Sequence, residues 1–470
     1  MSLKLFLLNT FGGIKATSKI ESQKDSLWKD YHVFVQVEQS DELKEFLLLE
    51  EKVKSGSFKK AKAQLKKLKF KGSSEERQLK QFNKLKRNKR LQQYLQVADS
   101  ADLKRYENLK EGNDLDRYFE LERIIQQGAG ASEEESKALR EEFKQLKASA
   151  DVQFFLKYPN SAAYKNYLHM QKSEERRTFN ELKAVIESDE FKERKNYLED
   201  PKKWEKSQEH KEEQRYLELK NKPEIQLYQK YKNTNALDFP KNWELVFEDQ
   251  FENTELDRSK WKTINYWAEK TVGKNFSQHG DLQAFADGKN VQIAGERLRI
   301  QVKKEKRKGL VWNPVLGFVE KEMDYSSDSL TTGGIFEAQY GILEAKIKYN
   351  PDKNFQDVFY LGGEQNGARL NLFECGAKSQ FGLSASPAGQ AEANFSLSGL
   401  SAGKLYIFSM VWEKGKLSWK INDKELFAVN SNVPDYPMFL NLTSLVIQDS
   451  QSVSHQFDVD WVRFYQKRKS

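Results

Sequence analysis

The side chains able to do chemistry are few in kind and unevenly placed. A single cysteine, Cys375, excludes an internal disulfide and any cysteine-rich zinc or iron–sulfur site. Five histidines are scattered without a His-x-x-x-His pair, so neither a metal centre nor a cofactor is expected. With no histidine near it in sequence, Cys375 reads as a small buried filler rather than a nucleophile. What remains is the chemistry of carboxylates and of cations. The cations gather in residues 59–90, which hold 14 Lys and Arg against Glu75 and Glu76. Such a run suits a nucleic acid or another anionic surface, or simply a solvated helix face. Leu65, Leu68, Phe70, Leu79, Phe82 and Leu85 keep helical spacing through it, which favours the solvated face. No nucleic-acid motif accompanies the run, so a nucleic-acid partner is not expected.

The elements that carry these residues differ between the two halves of the 470-residue chain. Residues 1–240 hold 49 Lys and Arg against 41 Asp and Glu, and residues 241–470 hold 29 of each, so the net charge of +8 belongs to the first half. From residue 23 to 235, Pro and Gly are sparse and apolar residues recur three or four apart, as in Leu103, Tyr106 and Leu109. That is the period of amphipathic helices. Similar pieces repeat: Asp102-Leu-Lys-Arg-Tyr-Glu-Asn-Leu109 is followed by Asp114-Leu-Asp-Arg-Tyr-Phe-Glu-Leu121. Ser100, Ser161, Ser173 and Ser188 stand ahead of such units, where a hydroxyl can cap free backbone N–H groups. The expectation is 7–10 short helices in irregular hairpins built on a repeat of about 12 residues, rather than an unbroken coiled coil. No apolar run approaches the ~20 residues of a membrane span.

After Pro240 the period changes to two. Leu298-Arg-Ile-Gln-Val302, Leu343-Glu-Ala-Lys-Ile-Lys348 and Leu417-Ser-Trp-Lys-Ile421 alternate apolar with polar residues between turn signals such as Asp287-Gly288 and Asn422-Asp423. Many short strands imply one large antiparallel sandwich or barrel. Four motifs follow in order: Trp243-Glu-Leu-Val-Phe-Glu-Asp-Gln-Phe251, Gly280-Asp-Leu-Gln283, Tyr340-Gly-Ile-Leu-Glu-Ala-Lys-Ile-Lys348 and Val459-Asp-Trp-Val-Arg-Phe-Tyr-Gln466. Together they resemble glycoside hydrolase family 16, the laminarinase/lichenase group. The resemblance covers about residues 240–467. It implies an all-β, concanavalin-like jelly roll with a glycan cleft on its concave sheet, and it places Trp243, Trp261 and Trp461 in the framework. The first half has no counterpart in it.

The chemistry of that family is where the match fails. Retaining glycosidases need two carboxyls about 5–5.5 Å apart, a nucleophile and an acid/base. The family carries them as Glu-x-Asp-x-x-Glu on one strand, where alternation and a bulge bring all three to one face. The resemblance sets Arg369 at the nucleophile position, Asn371 at the helper-Asp position and Glu374 at the acid/base position. A guanidinium cannot attack an anomeric carbon, so double displacement has no nucleophile. Gln356 and Tyr360 replace two tryptophans that shape the family's cleft, and Leu383-Ser-Ala-Ser386 lacks its histidine. Asp357, Glu364 and Asp281 are the carboxylates that could replace the nucleophile from the cleft side. Arg369 could pair with Glu374 inside a defunct site, or hold an anionic sugar by bidentate hydrogen bonds. Gln356, Tyr360, Trp267, Trp312 and Gln283 are the candidate substrate-binding residues.

The expected organisation is a multidomain α and β chain. Residues 1–22 form a tail, 23–235 a charged α-helical region with short repeats, and 236–470 the family-16-like sandwich. The expected function is a catalytically inactive, hydrolase-derived sandwich that binds a polysaccharide or oligosaccharide, or acts as a scaffold, with the helices engaging a protein partner. Two readings stand beside it: a working β-glucan hydrolase using Glu374 as acid/base, and an adaptor for proteins or polyanions acting through the helices. The first residues carry no evident signal peptide, so a cytoplasmic location is expected, or an exported one if a signal has been trimmed.

Overall fold

A computed structural model describes residues 3–128, 132–365, 369–384, 393–451 and 454–468. The chain forms two compact units: Met1–Ser40 with Pro223–Ser470, and Asp41–Lys222.

The first unit is the expected β-sandwich, formed by two open, mostly antiparallel sheets. The larger runs from Lys424–Val429 through Lys416–Ile421, Lys404–Glu413, Gly341–Tyr349, Ser454–Lys467 and Leu298–Asn313 to Gly317–Ser327 and Gln283–Phe285. The smaller has the order Ala393–Ser396, Gln380–Ser384, Arg369–Gly376, Phe355–Gly363, Met438–Val446, Ser329–Thr331. Alternate residues of each strand meet between the sheets. Phe359, Leu361, Leu370, Phe373 and Leu440 of the smaller sheet share a buried core with Ala345, Phe408, Trp419, Phe457 and Val462 of the larger. Trp261 is fully buried and Trp461 nearly so, as the framework reading expected.

Residues 1–22 are not a tail. They carry the helix Leu3–Thr10 and the start of Thr17–Glu38, and Leu5 and Ile14 are buried in the sandwich core. The helix Thr17–Glu38 lies against the larger sheet through an ionic layer. Lys24 Nζ reaches Glu344 Oε1 at 2.7 Å and Asp423 Oδ1 at 3.0 Å. Glu21 accepts hydrogen bonds from Trp461 Nε1 at 2.9 Å and from Lys346 Nζ at 3.0 Å. Ile20 packs between Ile407 and Trp461 beside them.

Among the described residues the second unit is built of helices and the turns between them. It is one nested hairpin, not several local ones, and its helices are more numerous than the 7–10 expected. Asp41–Lys54 packs on Gln208–Lys220, Ser74–Lys86 on Glu174–Glu187, Lys89–Ala98 on Ala162–Gln171, Ala101–Glu111 on Ala150–Lys157, and Asp116–Gln126 on Glu133–Ala148. An aromatic residue stands at every twelfth position of the outgoing arm: Phe46, Phe58, Phe70, Phe82, Tyr94, Tyr106 and Tyr118. The returning arm answers with Phe143, Phe155, Tyr167, Phe179, Phe191, Trp204 and Tyr216. The two series meet as rungs. Ring centroids lie 5.6 Å apart for Phe46–Tyr216, 5.2 Å for Phe82–Phe179, 5.1 Å for Tyr94–Tyr167, 5.2 Å for Tyr106–Phe155 and 5.1 Å for Tyr118–Phe143, all stacked. The returning series steps by thirteen once, from Phe191 to Trp204. There the ladder is irregular: Phe58 meets Trp204 edge-on at 6.4 Å, and Phe70 lies under the Lys195 ammonium instead.

The serines explain why the ladder stays in phase. Twelve residues of continuous α-helix rotate the apolar stripe by about 120° relative to whole turns. A break per unit resets it. Ser100, Ser149, Ser161, Ser173 and Ser188 each accept a backbone N–H three residues on, as does Asn88, so the break costs little hydrogen bonding.

Candidate functional site

The site expected from the sequence lies on the face of the smaller sheet turned away from the core. Its geometry depends on one irregularity in the strand Arg369–Gly376. Pairing with Phe355–Gly363 runs Asn371 to Tyr360 and then Phe373 to Phe359, so Leu372 is an extra residue. The register with Gln380–Ser384 also shifts between Asn371 and Glu374. Leu372 and Phe373 thus both enter the core, and Glu374 returns to the face of Arg369 and Asn371.

On that face Arg369 is exposed, and its guanidinium carbon sits 4.8 Å from the centroid of the Tyr360 ring. The internal ion pair with Glu374 does not form. Among the described residues no carboxylate pairs with Arg369. Tyr360, on the neighbouring strand, carries the exposed guanidinium over its ring. Asn371 is 2% exposed, and its amide nitrogen donates to Ser384 Oγ. Its backbone oxygen accepts from Trp419 Nε1 at 3.0 Å, which pins the bulge to the opposite sheet. Glu374 is half-buried, and its Oε2 accepts from Gln380 Nε2 at 2.8 Å. Among the described strand residues of this sheet, Glu374 is the one carboxylate on the outer face.

The three rescue carboxylates fall elsewhere. Asp357 points between the sheets, where it accepts from Ser444 Oγ at 2.6 Å and meets His455 Nε2 at 3.0 Å. Glu364 lies past the end of its strand, bound by the Tyr266 hydroxyl and the Lys270 ammonium. These two partners, Lys270 first, hold its carboxyl below the usual range. Asp281 sits in the turn between Phe276–Gln278 and Gln283–Phe285 of the larger sheet, with its pKa raised by burial. None of these positions sets a second carboxyl beside Glu374 on the sheet face.

The candidate binding residues are only partly brought together. Tyr360 is in place beneath Arg369. Gln356 is on the face, but its amide is committed at both ends to the backbone of Lys378, at 2.9 and 2.8 Å. Trp267 is exposed on the short helix Tyr266–Val272. That helix reaches the Arg369 end of the sheet through Tyr266, whose ring lies 4.5 Å from that of Phe439. Gln283 is fully buried and accepts from the Val446 backbone N–H at 2.9 Å, so it is framework. Trp312 is exposed at the end of the hairpin Leu298–Asn313 and Gly317–Ser327, packed on Phe318 at 4.9 Å rather than on the smaller sheet. Residues 385–386 lie outside the described residues, so the absent histidine is represented only by Leu383, in the core, and Ser384. Sequence reading missed Gln380 and Ser384 as partners of the face. The alternation of Gln380-Phe-Gly-Leu-Ser384 carried the signal, because it puts those two polar residues on the side of Asn371.

Cys375 is buried in the core, and burial, helped by the charge of Asp357, pushes its thiol far up. Among the described residues no cluster of His, Cys, Asp and Glu could hold a metal, and no helix is long and apolar enough to cross a membrane.

The Asp357–His455 contact has a consequence for stability. Burial works against the imidazolium, but the hydrogen bonds and charge of Asp357 outweigh it and raise the His455 pKa. The unfolded value is about 6.5. The pair's contribution is therefore fully present below pH 6.5 and is lost as the pH rises through the folded value. Urea midpoints measured at pH 6 and pH 9 should fall with pH in the native chain, and by clearly less in His455→Gln. An equal fall in both would remove His455 as the cause.

No protein-family model and no curated protein matches the chain. Among solved structures it is similar to the catalytic domain of an endo-1,3-beta-glucanase (laminarinase) from Thermotoga petrophila RKU-1, at 20% identity over 48% of this chain and 99% of that one, TM-score 0.39. It is also similar to the endo-beta-1,3-glucanase of Pyrococcus furiosus, at 21% identity over 48% and 96%, TM-score 0.39. A third is SCLam, a non-specific endo-beta-1,3(4)-glucanase from family GH16, at 20% identity over 49% and 93%, TM-score 0.39.

Proposed function

We propose that the sandwich binds an anionic glycan on the outer face of its smaller sheet and does not cleave it. The observation that carries this is Arg369. It is exposed, lies over the Tyr360 ring and is paired with no described carboxylate, so its N–H groups can take a uronate or sulfate. Retaining hydrolysis needs a second carboxyl about 5–5.5 Å from the first, and the described strand residues of this face carry no carboxylate besides Glu374. Tyr360 also favours binding, because its contact with the guanidinium restricts the Arg369 side chain and lowers the ordering cost of a contact with an anion.

The full chain should release no reducing sugar above blank from β-1,3- or mixed-linked glucan. By calorimetry it should bind a uronate or sulfated oligosaccharide at least tenfold more tightly than the neutral one of equal length. Arg369→Ala should erase that preference; the loss of one charge-assisted contact corresponds to about 1.5–3 kcal/mol. Arg369→Glu with Asn371→Asp tests the hydrolase ancestry by restoring a trace of turnover. Turnover in the native chain that disappears in Glu374→Gln would sink the binding-only reading.

A further inference from the structure

The run at residues 59–90 has no part in the site just described. It occupies the second unit, on the helices Gly56–Lys67 and Ser74–Lys86 and the start of Lys89–Ala98. Of its 14 cations, Lys62 pairs with Glu213 and Lys80 with Glu76. The other twelve have no ion-pair partner among the described residues, and all twelve are exposed. Lys66 lies over the Trp204 ring at 5.8 Å and Arg77 donates to the Ser73 carbonyl, but among the described residues no side-chain hydrogen bond or ring contact holds the other ten. These helices are held from inside by Phe58 against Trp204 and Phe82 against Phe179, while like charges at this density repel one another.

We propose that this surface is a docking strip for an acidic polysaccharide, one carrying sulfate or uronate groups at regular intervals. The choice of a polyanion rests on charge complementarity. The choice of a polysaccharide rests on what the strip lacks. The aromatics of residues 56–90 are the ladder residues Phe58, Phe70 and Phe82. Phe58 meets Trp204 edge-on, Phe82 is stacked on Phe179 and Phe70 lies under Lys195, so none offers an open face for a base to stack on. Leu68 is the one large apolar residue of the span that is exposed, which is too little to seat in a lipid interface. What the strip presents is ammonium and guanidinium heads on long stems, along a contour of about 45 Å. The polymer class leans on the glycan reading of the sandwich; the location of the strip does not.

The test uses the full chain, with dextran sulfate and polygalacturonate as probes, and binding measured between 50 and 300 mM salt. The variant changes Lys59, Lys60, Lys69, Lys71, Lys84 and Lys86 to Gln, all exposed, with folding checked by circular dichroism. It should bind dextran sulfate at least tenfold more weakly at 100 mM salt. The slope of log K against log salt should fall by about 4, as expected for six lost contacts. Changing the same six lysines to Arg should preserve binding. Unchanged affinity and slope in the Gln variant would overturn the proposal. So would tighter binding of poly(U), duplex DNA or phosphatidylserine vesicles than of either polysaccharide. Arg369→Ala separates the two sites. If it alone weakens dextran sulfate binding, the strip falls and the cleft stands; if only the six-lysine variant does so, the strip stands without the cleft.

Discussion

Lys24→Met is expected to lower the unfolding free energy by about 3–5 kcal/mol, a large share of the 5–15 kcal/mol typical of a folded chain. The size follows from what is left behind. The side chains of Lys24 and Glu344 are only 14% and 3% exposed, so solvent screens the pair little. Burial alone would push the Glu344 carboxyl up and the Lys24 ammonium down. Their mutual pairing, with Asp423 assisting Lys24, reverses both shifts. Without Lys24, Glu344 keeps Ser409 Oγ at 2.8 Å and nothing cationic from the helix. Its carboxyl must then rise, so the variant should be closer to native stability at pH 4.5, where Glu344 can take a proton, than at pH 8. Lys24→Met with Glu344→Gln should recover more than half of the loss, since no buried charge then lacks a partner. Denaturant titration of the four chains at both pH values measures this. A single-variant cost below about 1 kcal/mol would mean that the ionic layer does not anchor the helix Thr17–Glu38.

That anchoring also marks where sequence reading stopped. Strand alternation and the motifs of residues 240–467 made the sandwich legible, because a half-buried strand writes its face into every second residue. The bulge was legible too, through the one-three-six spacing of Arg369, Asn371 and Glu374 that the resembling motif carries. The fate of Arg369 was not. Whether a guanidinium meets the carboxylate five positions on or the ring of the next strand depends on register, which alternation does not specify. Asp357 was misplaced for a related reason: only its odd position, shared with core residues Phe359 and Leu361, tells that it faces His455 rather than the cleft. The helix Thr17–Glu38 reads as one more charged amphipathic helix. Nothing local in Glu21 or Lys24 says that their partners lie more than 300 residues away. In the second unit the repeat of about 12 residues was visible, but an antiparallel nested pairing is non-local. Tyr94 and Tyr167 identify each other only once the hairpin is closed.

The ladder makes its own demand on length. Excision of residues 89–100 together with 162–173 should leave a folded, cooperative chain. The first cut joins the cap Asn88 to the helix start Ala101, and the second joins the cap Ser161 to Glu174, so both junctions keep a capped helix N-terminus. The rung Tyr94–Tyr167 is lost with both its partners, and Phe82–Phe179 becomes the neighbour of Tyr106–Phe155 at the usual spacing. In a nearest-neighbour array this removes one unit and its interfaces while leaving the others intact. Excision of 89–100 alone should behave very differently. Tyr167 and Met170 would lose Leu91 and Tyr94, the residues they are buried with, and a helix about 15 Å long would have no counterpart on the other arm. Stacked aromatic pairs contribute about 0.5–1.5 kcal/mol beyond their area, and each buried aliphatic side chain about 1.5–3 kcal/mol. The one-sided excision should therefore cost about 4–6 kcal/mol and split the helical unfolding transition in two. The two-sided excision should keep one transition with a smaller denaturant slope. Circular dichroism and urea titration of the full chain with either excision decide it. Equal destabilisation by the two would show that the aromatic register, rather than being the basis of the hairpin, is incidental to it.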